Sequence, residues 1–160
     1  MPKFKPDKII IHHTATPKYL TEKDIEQLHM DRRFNWSYRG MKGYCGYHFI
    51  ILPETGLRNK ALIKAMRPIQ IQGAHALPNC SAGIGISVIG YYHSPFNHTL
   101  RDSDIGAIIH VCYKMCKTFN ISPDKIYGHR NINSTDCPGD NIYKYISHIK
   151  EKVKEKLNGQ

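Results

Sequence analysis

The chain lacks any apolar run near the roughly 20 residues that a membrane-spanning helix needs. It also lacks an export-type core: the basic start Met1 to Lys5 leads only into Ile9-Ile10-Ile11, which His12 and His13 cut short. No cleaved leader is therefore expected. There are only 5 Cys, at 45, 80, 112, 116 and 137. That odd, scattered set gives no disulfide framework, so a reducing compartment is expected for the folded chain. The paired Cys and His spacing of zinc fingers is missing, and aromatics are not interleaved with Lys/Arg clusters. Nucleic acid is therefore not expected as the main partner. Internal repeats and low-complexity tracts are absent too.

What is present fits an ordinary globular protein: 160 residues, 41% hydrophobic and 22% charged. Residues 1–160 are read as one domain, a size able to bury about two thirds of its unfolded surface. The formal charge is +10. Such a field draws polyanions: nucleic acid, acidic membrane surfaces or anionic envelope polymers.

Along the chain, Lys8 to His13 reads as a short buried strand. Thr21 with Asp24 marks a helix start, and Ile25, Leu28, His29 and Phe34 form its inner side. Ser37 to Gly46 reads as glycine-rich loop, Gly46 to Leu52 as a strand, and Lys60 to Ile71 fits neither period. Gly83 to Gly90 is a second apolar strand. A helix starting near Thr99 and Asp102 carries Ile105, Ile108, Ile109, Cys112, Met115, Cys116 and Phe119 on one stripe, and Asn120 ends it. Ile126-Tyr127 is a short strand. One last helix from Asp140 presents Ile142, Tyr143, Ile146, Ile149, Val153 and Leu157. Mixed strands and helices predict an α/β fold, a single mixed β-sheet flanked by about three main helices.

The chemistry concentrates in two places. His129 and Cys137 lie eight residues apart in a polar loop rich in Asn, Ser, Gly and Pro. The pair His12-His13 closes the first strand. Two imidazoles and a thiolate would give zinc three ligands and leave the fourth position open for water. Strand neighbours face opposite sides, so one of His12 and His13 can join such a site, and the strand alone does not say which. A competing reading pairs Cys137 with a His as a nucleophile. Against it, no helix start follows the thiol immediately, since Pro138-Gly139 intervene.

The ordered pieces Ile10 to Thr16, Gly46 to Ile51, Gly73 to Ala76 with Asn79, Gly83 to Gly90, Gly128 to Arg130 and Thr135 to Asp140 resemble the zinc-dependent N-acetylmuramoyl-L-alanine amidases of the type 2 family, a family shared by small phage endolysins and peptidoglycan recognition proteins. The resemblance implies their fold and Zn²⁺ held by His12, His129 and Cys137. It implies catalytic roles for Tyr47 and Thr135 and substrate contacts from His75 and Asn79. Thr135 stands where several phage members carry a catalytic Lys, and Ser87 where some bacterial members carry a Glu base. Proton handling is then expected to fall to Tyr47. The implied reaction cuts the bond between N-acetylmuramic acid and L-alanine in peptidoglycan. The protein would be cytoplasmic in the producing cell and act at the wall after release. A non-catalytic muropeptide-binding protein is the alternative that the same resemblance allows. No membrane span is expected, and the basic surface would add attraction to anionic envelope polymers.

Overall fold

The computed structural model describes residues 4–78 and 82–159. Its centre is a five-stranded sheet. In chain order the sheet strands are β1 (Lys8–His13), β4 (Phe49–Leu52), β5 (Leu62–Ala65), β6 (Gly83–Val88) and β7 (Ile126–Gly128). Across the sheet they run β5-β4-β6-β1-β7. Four are parallel to one another, and β5 closes one edge antiparallel to β4. A separate hairpin joins β2 (Trp36–Tyr38) to β3 (Met41–Gly43). The helices are α1 (Glu22–Asp31), α2 (Asp102–Phe119), the single turn α3 (Asp140–Tyr143) and α4 (Ile146–Asn158). The expected mixed sheet with three main helices is what forms.

Strand alternation sorts the side chains. Ile9 and Ile11 of β1, Ile84, Ile86 and Val88 of β6, and Ile51 of β4 pack against the apolar stripes of α2 and α4. These are the stripes expected from the helical spacing. Ile10 turns the other way, onto Ala76, and Ile50 and Leu52 turn toward Ile25 of α1. The sheet therefore has a helix-covered face and a second face shared between α1 and loops. In β1, His12 follows Ile10 on that second face.

Four local expectations change. The stretch from Ser37 holds the β2–β3 hairpin, turned by Arg39 and Gly40 with φ of 48° and 80°. Two positive φ angles make the primed kind of turn, but Arg-Gly lacks the Asn that usually advertises it. The segment 60–71 contains β5, an exposed edge strand and so without one buried face to impose a period. Leu28 is 41% exposed, while His29 is buried and takes the Gly46 N–H on Nδ1 at 2.8 Å. The last helix is interrupted between Tyr143 and Ile146. The start of α2 is capped from within: the buried Asp104 carboxylate accepts the N–H groups of Arg101 (2.8 Å) and Glu54 (2.7 Å).

The strand expected from Gly46 begins at Phe49. Just before it, His48 donates its backbone N–H to Gly85 O, and its own ring Nδ1 accepts the Gly85 N–H, each at 3.0 Å. The imidazole thus replaces a ladder carbonyl, and its Nε2 donates to Ile71 O at 2.8 Å. Such rings work only while neutral at Nδ1. Burial pushes both His29 and His48 down from 6.5 to about 4. The unfolded chain therefore binds more protons than the folded one between those values, so stability falls as pH drops through that window. Urea midpoints should decrease steadily from about pH 6.5 to about pH 4, and His29→Gln should make the decrease shallower; a flat or rising midpoint refutes this account.

Close packing also separates two glycines. A Cβ on Gly85 would lie 2.5 Å from His75 Cδ2, whereas one on Gly106 of α2 would meet nothing within 4 Å. Gly85→Ala should destabilise by about 1–3 kcal/mol through overpacking. Gly106→Ala should stabilise by about 0.5–1 kcal/mol, since it removes backbone freedom from the unfolded chain. Denaturant unfolding of the two variants measures both.

Candidate metal centre

The sheet register builds the site. His12 of β1 pairs with Ser87 of β6, and Ile11 pairs with Gly128, so His129 emerges from the end of β7 beside His12. The two rings lie 4.5 Å apart between centroids. Cys137 reaches the same point from the following loop, with Sγ 3.6 Å from His12 Nδ1. One donor atom from each of His12, His129 and Cys137 falls within 4.8 Å of the others. Among the described residues no other three His, Cys, Asp or Glu side chains converge in this way. His13 points to the opposite face, where its Nδ1 accepts the Tyr92 N–H at 3.0 Å. The geometry thus separates two histidines that the strand pattern alone left equivalent.

The loop carrying Cys137 is braced from several sides. Cys137 N–H donates to Thr135 Oγ1 at 3.2 Å, and Arg130 N–H donates to Cys137 O at 2.8 Å. The Arg130 guanidinium donates to Asp136 O and, at 2.8 Å, to Asp140 Oδ1. Asn131 Oδ1 accepts the Gly128 N–H at 3.0 Å, and its amide nitrogen donates to Tyr143 Oη at 2.8 Å. Arg130 and Asn131 were not singled out in the sequence. Their adjacency to His129 in a turn-rich segment was the available signal.

The electrostatics suit a cation. Burial, reinforced by His75 and His129, holds His12 well below its ordinary 6.5, and burial also lowers His129. Both imidazoles are therefore neutral and able to ligate. Burial pushes the Cys137 thiol up to about 12, partly opposed by a backbone hydrogen bond with His13 and by Arg130. A thiolate here needs a strong positive charge beside it. Among the described residues, buried His129 Nε2 has no hydrogen-bond partner to offset its desolvation. Two neutral nitrogens and one sulfur are a donor set that fits zinc, with a fourth position left open.

The other sequence-selected residues sit around this point. The Tyr47 ring is 5.2 Å from that of His12. Burial and the Cys137 sulfur raise its hydroxyl well above the ordinary tyrosine range, so it stays protonated at neutral pH; the Ser87 hydroxyl nearby acts in the opposite direction. Ser87 Oγ, itself buried, lies outside good hydrogen-bond geometry with the described residues. Thr135 is exposed, and its Oγ1 shapes the Cys137 loop. His75 lies against His12 and lines the cleft, and both its ring nitrogens have protein partners, His12 Nε2 at 2.8 Å and Gly83 O at 3.0 Å. Asn79 falls outside the described residues. A cleft of about 230 Å³ opens beside the centre, lined in part by Phe34, Tyr47, Ala74, Leu77, His129 and Asn133.

Known proteins share this layout. Residues 2–140 match the family model described as N-acetylmuramoyl-L-alanine amidase. Peptidoglycan-recognition protein SC2 of Drosophila simulans is 32% identical over 145 residues, spanning 86% of this chain and 70% of that protein. The solved N-acetylmuramoyl-L-alanine amidase LysC from Clostridium intestinale URNW superimposes with a TM-score of 0.72 at 26% identity, over 99% of this chain and 91% of that one. A Drosophila PGRP-LB variant, solved in complex with tracheal cytotoxin, shares the fold with a TM-score of 0.67 at 24% identity, over 91% of this chain and 83% of that one. With most of its length matched and the same fold recurring in a solved amidase, this chain belongs to the N-acetylmuramoyl-L-alanine amidase family.

Proposed function

We propose that this protein is a zinc-dependent amidase that hydrolyses the bond between N-acetylmuramic acid and L-alanine in peptidoglycan. The observation that carries the reading is the meeting of His12, His129 and Cys137 donor atoms within 4.8 Å, in a buried corner beside an open cleft. Support also comes from the amidase LysC, similar over nearly the whole chain, and from a PGRP-LB structure in complex with tracheal cytotoxin. A binding-only recognition protein would have no use for a thiol buried against two neutral imidazoles.

His12, His129 and Cys137 would hold a zinc ion, which when bound would supply Lewis acidity for polarising a carbonyl and activating water. The chain's own groups do the rest. Tyr47 keeps its proton, so its hydroxyl can donate to the carbonyl oxygen as negative charge develops there during attack by water. Thr135, on the exposed side of the Cys137 loop, holds that loop in place, and its own O–H is directed by no intramolecular acceptor among the described residues. It is the second donor in this reading. The carbonyl carbon gains the water oxygen, its bond to nitrogen breaks, and the L-alanine nitrogen leaves with a proton. Phe34, Ala74, Leu77 and Asn133 offer the walls for the sugar and stem peptide; a substrate contact from Asn79 rests on the family resemblance alone. The formal charge of +10 favours approach to anionic envelope polymers.

Digestion of purified sacculi, with mass analysis of the products, tests the reaction. Free stem peptides lacking amino sugar are expected, and a chelator should stop their release. Disaccharide or cross-bridge fragments instead would point to another reaction, and tight muropeptide binding without cleavage would favour the recognition reading. Cys137→Ala should abolish both tight zinc binding and hydrolysis; full activity of that variant after metal stripping defeats the mechanism. Tyr47→Phe should lower kcat by about 10²- to 10³-fold, the usual cost of losing one oxyanion donor, with zinc content unchanged.

A further inference from the structure

His75 lies between His12 and a wall of the cleft, and its surroundings were built to seat it. A Cβ on Gly73 would fall 2.2 Å from His75 Cδ2, and one on Gly85 would fall 2.5 Å from the same atom. The two glycines leave a flat slot between a loop and β6 that only this ring fills. Inside the slot both ring nitrogens are used. Gly83 O can only accept, so His75 Nε2, 3.0 Å away, carries a proton. The ring is 9% exposed and has no carboxylate partner among the described residues. With one proton already on Nε2, its Nδ1 carries the lone pair. That lone pair lies 2.8 Å from His12 Nε2, which must then be the donor. A neutral His12 with its proton on Nε2 has its remaining lone pair on Nδ1, the atom that faces Cys137 Sγ at 3.6 Å.

We propose that His75 is a positioning residue: through the chain Gly83 C=O, His75, His12, it fixes the tautomer and ring angle that present His12 Nδ1 to the metal centre. A backbone carbonyl thereby acts on the metal ligand at one remove. Outer partners of this kind hold a ligating imidazole in one orientation and raise its basicity. The assignment differs from a substrate contact, because His75 spends both hydrogen-bonding atoms inward. It rests on the metal-binding reading above.

The test uses the full chain. Ring ¹⁵N–¹H correlation spectra of the zinc-loaded protein should place the proton of His12 on Nε2 and show coupling across the bond to His75 Nδ1. Zinc affinity, read by competition with a chromophoric chelator, should fall about 10- to 100-fold in His75→Leu. His75→Gln keeps an acceptor and a donor and should recover part of that loss. A proton on His12 Nδ1, or unchanged zinc affinity in His75→Leu together with a raised KM, overturns the proposal and restores a substrate role. The spectrum of the unsubstituted protein decides the matter even where His75→Leu fails to fold. A wild-type chain without zinc affinity would instead sink the metal reading itself, which keeps the two failures apart.

Discussion

Everything at the site depends on β1 being bonded on both sides. With β6 on one flank and β7 on the other, this strand cannot slide or roll without breaking two ladders. A slip of one residue would send Ile9 and Ile11 out of the helix-covered core and exchange His12 for His13. The apolar packing that stabilises the sheet therefore also dictates which imidazole faces the cleft. Fold energy and site geometry are set by the same alternation.

The neighbours of that strand then supply the remaining parts at low cost in new structure. His129 needs only to follow β7, and Cys137 only a short loop braced by Arg130. The polar atoms that a buried site would otherwise strand are satisfied largely by imidazoles. His13, His29, His48 and His98 each accept a backbone N–H on Nδ1. Histidine serves here as a backbone-capping residue as much as a chemical one. That multiplicity is why a histidine count alone says little about where catalysis occurs.

The sequence made the periodic elements plain. The stripes of α2 and α4 and the apolar strands β1 and β6 stand in the pattern of Ile, Cys and Phe because each buries one continuous face. The motifs around His12, His129 and Cys137 were legible as a resemblance, and their convergence needed the sheet register to become a distance. What the sequence concealed was local: the Arg39-Gly40 hairpin, the edge strand β5 and the break after Tyr143. These depend on turn geometry, exposure and capping rather than on a repeat. The seat of His75 was hidden for another reason. Glycines at 73 and 85 give no sign of the ring between them, since an absent side chain signals space without saying for what.

His12 and Cys137 are separated by 125 positions along the chain. A nascent polypeptide would carry this imidazole well before this sulfur, so the centre cannot assemble until residue 137 has been made. Closure must await the full sheet, since a contact of such long range forms only after the intervening strands have paired. The three donor atoms thus come together only through docking of elements far apart along the chain.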